Sequence, residues 1–215
     1  MNRHDLVFVS PIAWQTLLST RIEMAGDSLV ANWVHRGWPL VGRRAGDGEG
    51  WGVPLGLPLP PSAGKKRIAF LMRPEDVVAI MPPPSLTSAI RAAPLAWHST
   101  LLNLTRLATR ESVEARAFGS LAWRAITSLD YLTDRSDLDF ALYVHRGTKL
   151  RTLADELARL EADAPMRLDG ELIRSDGAAV NWRELHAGAS EVLVKTAAGI
   201  ALLDTAHFLS GRMPS

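Results

Sequence analysis

The sequence predicts an α+β protein with a small β-rich amino-terminal domain over residues 1–81 and a larger domain over residues 82–215. Glycine and proline recur at short intervals from Gly37 to Gly64, which favours short strands and turns over long helices. Beyond residue 94 the apolar residues change between strand and helix periodicity. Three consecutive prolines, Pro82 to Pro84, keep the backbone extended and therefore mark the predicted domain boundary.

Two strands are predicted in the amino-terminal domain. The first covers Asp5 to Val9, a short apolar run. The second covers Ile68 to Met72 and follows directly on the basic residues Lys65, Lys66 and Arg67. These basic residues therefore form a charged turn at the entrance to a strand.

Apolar periodicity predicts regular elements throughout the larger domain. Helical segments place leucines three or four residues apart, as at Leu150, Leu153 and Leu157, and strands alternate apolar with polar residues. In chain order we predict a helix over 95–110, a strand over 113–118, a helix from 121 to 127, a strand over 138–144, a helix over 149–163 and a strand over 167–173. Between residues 192 and 203 we predict two short strands, and a helix is the alternative there.

Composition limits the possible classes of function. The 24 basic and 23 acidic residues leave a net charge of +1, which gives no general attraction to nucleic acid or to anionic membranes. The chain has no cysteine, so disulfides, thiolate metal sites and a cysteine nucleophile are excluded. Asp5 and Pro11 interrupt the amino-terminal apolar run, and no apolar segment approaches the ~20 residues of a membrane helix. We expect a cytoplasmic protein.

Asp137 and Asp139 are the first candidate functional residues. Residues two apart on a strand point to the same face, so both carboxylates would lie close together. Such a pair suits Mg²⁺, which is commonly bound by one or two carboxylates together with water and substrate phosphates. The alternative is a solvated Asp-x-Asp at a strand edge.

Gly119 and Ser120 are the second candidates because they join a predicted strand to a predicted helix. Free backbone amides at a helix start favour an anion such as phosphate, glycine permits its close approach, and serine adds a hydroxyl donor. The alternative is a tight turn in which Ser120 only caps the helix.

A Gly-Ser turn followed by a hydrophobic strand with Asp-x-Asp resembles the nucleotidyltransferase superfamily. The resemblance implies a nucleotidyltransferase-like mixed sheet flanked by helices. Sixteen residues separate Ser120 from Asp137, which is longer than the common spacing in that superfamily.

The longer spacing and the surrounding residues resemble those of the phosphoribosyl-dephospho-CoA transferases of malonate decarboxylase. The resemblance covers nearly the whole chain. The segments that carry it are Gly119 to Trp123, Leu129 to Leu132, Ser136 to Asp139, His4 to Val7, Trp38 to Val41, Gly64 to Ile68, Leu168 to Leu172 and Asn181 to Glu184.

This resemblance implies the reaction and its partners. A serine of the apo acyl-carrier subunit of malonate decarboxylase would attack triphosphoribosyl-dephospho-CoA and release pyrophosphate. Mg²⁺ would be bound by Asp137, Asp139 and a third carboxylate, for which Asp169 is preferred and Glu171 is the competitor. The alternative is that both are ordinary polar positions on a half-exposed strand. Gly119 and Ser120 would hold the triphosphate.

The run Lys65, Lys66 and Arg67 is assigned to binding of the triphosphate or the carrier, with a solvated turn as the alternative. No histidine spacing indicates a metal site. Two rival functions remain: a small nucleotidyltransferase that moves AMP or another nucleotide onto a small molecule or protein, and a non-catalytic interaction protein of the same fold.

Overall fold

The computed structural model describes residues 2–21, 24, 26–46, 48–196 and 199–210 of the chain. The chain folds into two compact units, Met1–Pro83 and Pro84–Ser215. Each unit is built on its own sheet, one antiparallel and one mixed, with helices in both. The predicted α+β class is therefore confirmed.

In the described part of the first unit, five strands form an antiparallel sheet in the order β4-β3-β2-β1-β5. The α-helices described for this unit include α1 (Pro11–Ser19) and α2 (Ser28–Asn32). The strands are β1 (Leu6–Val9), β2 (Leu40–Gly42), β3 (Val53–Pro58), β4 (Arg67–Met72) and β5 (Val77–Met81).

Tryptophans fill the core of the first unit. Trp14 and Trp33 are fully buried, and their indole N–H groups donate to the carbonyl oxygens of Val30 at 3.1 Å and of Pro39 at 2.8 Å. The Trp14 ring packs edge-on against Phe70 with 4.8 Å between the ring centroids. Large apolar rings whose N–H groups are satisfied allow this small unit to bury a core.

Among the residues described for the second unit, six strands form a sheet in the order β11-β10-β9-β8-β7-β6. Within these described strands, β7 and β8 run parallel and the other neighbours are antiparallel. The strands are β6 (Glu114–Ala117), β7 (Leu138–Tyr143), β8 (Leu168–Ile173), β9 (Ala179–Asn181), β10 (Glu191–Lys195) and β11 (Ile200–Asp204).

Helices of the second unit contribute to a core on one face of this sheet, where Leu138, Phe140 and Leu142 of β7 are fully buried. Gly170 on β8 lies opposite Phe140, and a Cβ atom there would come within 2.3 Å of the phenyl ring. Only glycine therefore fits beneath that ring. The helices are α3 (Leu86–Ala89), α4 (His98–Arg110), α5 (Gly119–Thr127), α6 (Leu150–Ala162), α7 (Trp182–His186) and α8 (Thr205–Leu209).

The predicted elements of the larger domain are confirmed, with small shifts at their ends. The helix predicted from Leu95 begins at His98, because Leu95–Trp97 forms a 3-10 turn after Pro94. The strand predicted over 138–144 begins at Leu138 as predicted, one residue after Asp137, and ends at Tyr143. The described part of 192–203 contributes to two strands, and residues 197–198 lie outside the described residues. None of the described helices has the length and apolar character required to cross a membrane.

Candidate active site

The Gly-Ser turn lies where β6 ends and α5 begins. Phe118 precedes the helix in an extended conformation, and its amide N–H donates to the carbonyl oxygen of Asp139 at 3.1 Å. Gly119 follows with a φ of +62°, in the left-handed region, and is the first residue of α5. The first amide groups of a helix have no partner within the helix, so this turn can present N–H donors to an anion.

Asp139 on β7 lies directly against this turn. A Cβ atom at position 119 would lie only 1.9 Å from Oδ2 of Asp139 and 2.5 Å from its Cγ. The carboxylate therefore occupies space that any other residue at position 119 would fill. The predicted phosphate-binding turn and one predicted carboxylate are thus adjacent in space.

Parallel pairing of β7 with β8 brings a second carboxylate to the same place. Asp139 is directly opposite Asp169 in this register, so the two side chains leave the same face from backbones about 4.8 Å apart. Asp137 lies one residue before β7, close to the same end of the strand. Neighbouring strands thus contribute Asp139 and Asp169 to one edge of the site.

A divalent cation fits the Asp139 and Asp169 pair by its chemistry. Across the described ranges, no group of three or more His, Cys, Asp or Glu side chains is arranged to hold a metal ion. Mg²⁺ does not require a complete protein cage, because one or two carboxylates commonly bind it together with substrate phosphates. The set of Asp137, Asp139 and Asp169 as metal ligands stays a prediction.

The two candidates for the third carboxylate differ in their burial and in their partners. Glu171 is 5% exposed, and its Oε1 accepts a hydrogen bond from Nζ of Lys195 at 3.0 Å in an ion pair. Asp169 is only partly buried and accepts from the side-chain amide of Asn181 at 2.8 Å. Burial and pairing thus favour a structural role for Glu171, whereas Asp169 lies opposite Asp139 and is only partly buried; which of the two binds metal stays a prediction.

The basic run lies in the first unit, on the hairpin that joins β3 to β4. Lys65, Lys66 and Arg67 are all exposed, and Lys65 adopts a φ of +53°. The backbone N–H of Lys65 donates to the carbonyl oxygen of Pro60 at 3.1 Å, which closes the turn. The three cations are accessible to solvent, and their assignment to donor or carrier binding stays a prediction.

Asn181 is a polar residue of the site that the sequence pattern did not identify as functional. It ends β9 and caps α7, because its Oδ1 accepts from the backbone N–H of Arg183 at 3.0 Å. Asn-x-x-Glu, formed with Glu184, is a recognisable signal for a helix start. The sequence could thus have identified the cap, but the contact with Asp169 depends on strand pairing.

Two family models match the chain, one for each compact unit. The phosphoribosyl-dephospho-CoA transferase MdcG N-terminal domain matches residues 2–83. The phosphoribosyl-dephospho-CoA transferase MdcG C-terminal domain matches residues 85–206 and includes Gly119, Asp139 and Asp169. Together the two models cover almost the full length.

Curated relatives agree with the family models. A phosphoribosyl-dephospho-CoA transferase of Bradyrhizobium diazoefficiens is 53% identical over 98% of this chain and 93% of the relative. Proteins of the same name from Xanthomonas campestris pv. campestris and Xanthomonas axonopodis pv. citri are 38% identical over 80% of this chain and 81% of the relative, and 33% identical over 98% of both. No solved structure matches the chain. The chain therefore belongs to the phosphoribosyl-dephospho-CoA transferase family and is a transferase.

Proposed function

We propose that this enzyme transfers the phosphoribosyl-dephospho-CoA group from triphosphoribosyl-dephospho-CoA to a serine of the apo acyl-carrier subunit of malonate decarboxylase. The observation that carries the proposal is the contact between the Gly119 turn and Asp139, in a chain whose relatives share this transferase name over nearly their full length. A turn with amide donors beside paired carboxylates suits transfer from a polyphosphate.

The reaction is a substitution at phosphorus. The serine Oγ forms a bond to the α-phosphorus of the triphosphate, and the bond from that phosphorus to the pyrophosphate oxygen breaks. The serine proton is lost to solvent, pyrophosphate leaves with the bonding electrons, and the product is a phosphodiester. The enzyme must hold the attacking and leaving oxygens in line and offset negative charge on the phosphoryl oxygens.

The residues of the second unit match these requirements. Amide groups at the start of α5, with the Ser120 hydroxyl, would bind the triphosphate oxygens. Asp137, Asp139 and Asp169 would hold Mg²⁺. When bound, the ion offsets phosphoryl charge and lowers the pKa of an attacking hydroxyl. Without it, the carboxylates would repel the anionic donor, so the proposal requires metal-dependent donor binding.

Exposed cations of the first unit would supply further charge for an anionic partner. Lys65 and Lys66 lie on the turn and Arg67 begins β4, and all three are exposed. Lysine ammonium groups act as point charges toward phosphate, and an arginine guanidinium can bind phosphate or carboxylate through two donors. We assign this turn to the triphosphate donor or to the carrier subunit.

Mass spectrometry of the purified apo carrier subunit tests the proposal. Incubation with the enzyme, MgCl₂ and triphosphoribosyl-dephospho-CoA should add the phosphoribosyl-dephospho-CoA group to one serine and release pyrophosphate. Addition of EDTA should prevent both. Efficient use of ATP with addition of AMP would instead support the small nucleotidyltransferase, and an unmodified carrier with the intact donor would contradict the proposed reaction.

A further inference from the structure

Two segments that carry the family resemblance contact each other at the candidate site. Asn181, Trp182 and Arg183 are consecutive residues at the junction of β9 and α7, and all three hydrogen-bond to Leu168 or Asp169 at the start of β8. One short segment thus contacts both the carboxylate of Asp169, the candidate third carboxylate, and the backbone of the preceding residue.

The orientation of the Asn181 amide is fixed by two bonds of opposite sense. Its Oδ1 must accept, because its partner is the backbone N–H of Arg183 at 3.0 Å. Its Nδ2 therefore faces Oδ1 of Asp169 and donates to it at 2.8 Å. The opposite amide orientation would direct two donors at each other and leave the carboxylate without this donor. Capping of α7 thus determines which group Asn181 presents to Asp169.

Trp182 and Arg183 contact the backbone of Leu168, the residue before Asp169. The indole N–H of Trp182, which is 1% exposed, donates to the carbonyl oxygen of Leu168 at 2.9 Å. The amide N–H of Leu168 donates to Oε1 of Glu161 at 2.7 Å, and Glu161 is ion-paired with Arg183. Both backbone polar groups of Leu168, the residue before Asp169, are therefore bonded to side chains of α6 and α7.

We propose that Asn181 is a positioning residue that directs the carboxylate of Asp169 toward the donor's metal-bound triphosphate. This inference rests on the proposed function. A neutral amide leaves the second carboxylate oxygen of Asp169 available and fixes the rotation of the group. Hydrogen-bond partners of metal-binding side chains tune metal affinity and activity by roughly 10–100-fold, and this sets the scale of the expected effect.

Asn181→Ser is the informative variant because serine keeps a capping oxygen and loses the amide donor. Asn, Asp and Ser are similarly good caps, so α7 should remain folded. Asn181→Gly is the second variant, since glycine is tolerated at a cap at a cost of a few tenths of a kcal/mol. Asp204→Ser is the matched control, because Asp204 caps α8 by accepting from the N–H of His207 at 3.0 Å.

The readout is calorimetric binding of triphosphoribosyl-dephospho-CoA without carrier subunit, in MgCl₂ and in EDTA, with thermal unfolding of each variant. We expect Asn181→Ser and Asn181→Gly to weaken binding about 10-fold or more in MgCl₂ and to leave binding in EDTA unchanged. Asp204→Ser should bind as the parent does. In the transfer assay, the half-saturating MgCl₂ concentration should rise more than kcat falls.

Four results would contradict the inference. Parental binding in MgCl₂ by both Asn181 variants would show that Asp169 needs no positioning. An equal loss in Asp204→Ser, or a loss that persists in EDTA, would assign the effect to general destabilisation. A parent enzyme that binds the donor equally well in EDTA would contradict the metal role in the proposed function, and the role of Asn181 with it.

Discussion

The Asp139 carboxylate lies over the α-carbon of Gly119, so close that a Cβ atom at position 119 would be 1.9 Å from Oδ2. Position 119 also has a φ of +62°, which strains any residue with a side chain. We therefore expect Gly119→Ala to displace the Asp139 carboxylate, to abolish carrier modification and to destabilise the fold. Carrier modification by mass spectrometry and the free energy of unfolding measure the two effects.

Gly177 provides the matched control for this substitution. It has a φ of +81°, and a Cβ atom there would have no atom within 4 Å. Gly177→Ala should thus incur the same backbone strain, about 1–2 kcal/mol, without touching the site. Full transfer activity in Gly177→Ala with none in Gly119→Ala would separate the steric effect from strain. Equal activities would contradict a requirement for close contact between the turn and the carboxylate.

Asp137→Asn and Asp139→Asn remove a candidate metal-binding charge with almost no change in size. We expect each to lower the transfer rate by at least about 100-fold, because charge stabilisation of the phosphoryl group is lost. Thermal unfolding should change little for either variant. Asp163→Asn, on an exposed residue after α6, is the control and should retain parental activity. A transfer rate near that of the parent in Asp137→Asn or Asp139→Asn would show that the substituted carboxylate is not required for transfer.

Local patterns were sufficient to predict most of the second unit. Alternation over 138–144 identified β7, leucine spacing identified α6, and the Gly-Ser pair marked the turn that contacts Asp139. These predictions succeed because each depends on a few neighbouring residues and on the periods of helix and strand. The fold class follows from the same local signals.

Contacts between strands could not be predicted in the same way. Asp169 and Glu171 are two apart on one strand, so alternation places both on the same face and cannot distinguish them. The distinction comes from Lys195, 24 residues further along the chain, which pairs with Glu171. The bond from Asn181 to Asp169 likewise depends on the register of β8 with β9, which sequence periodicity alone did not provide.

The third carboxylate can be identified by comparing two substitutions. Asp169→Asn should lower the transfer rate by about 100-fold or more, as for a residue that acts on the transferred group. Glu171→Gln should retain transfer, because Glu171 is buried and paired with Lys195 at 3.0 Å. Glu171→Gln should instead lower the temperature of thermal unfolding, since Lys195 loses an ionic partner. The reverse pattern of activities would make Glu171 the metal ligand.

Removal of the two lysines of the basic run tests whether these cations bind a substrate. Lys65→Ala with Lys66→Ala should raise the KM for the triphosphate donor or for the carrier subunit by roughly 10-fold, equivalent to about 1.4 kcal/mol. The effect should decrease as the salt concentration rises. Arg146→Ala with Lys149→Ala, exposed cations of the second unit, is the control. Unchanged KM values for both substrates would show that these lysines bind neither substrate and form only a solvated turn.

Glu161 links α6 to the start of β8 and to α7. Burial alone would raise the pKa of Glu161, but hydrogen bonds from the Arg183 guanidinium and the Leu168 amide lower it below its ordinary range. Glu161→Gln should therefore reduce the free energy of unfolding by about 1–3 kcal/mol near pH 7. Urea unfolding of parent and variant measures the difference.

The pH dependence of that difference has a definite sign. A carboxylate whose pKa is lowered by folding stabilises the protein above its unfolded pKa, about 4.3, and this contribution is lost as the pH falls through the folded value. The difference between parent and Glu161→Gln should thus be largest near neutrality and shrink below pH ~4. Glu156→Gln on the same helix removes ion pairs with the exposed Arg110 and Arg159 and should cost less than about 1 kcal/mol. A difference that persists unchanged in acid would show that shape, and not charge, makes Glu161 stabilising.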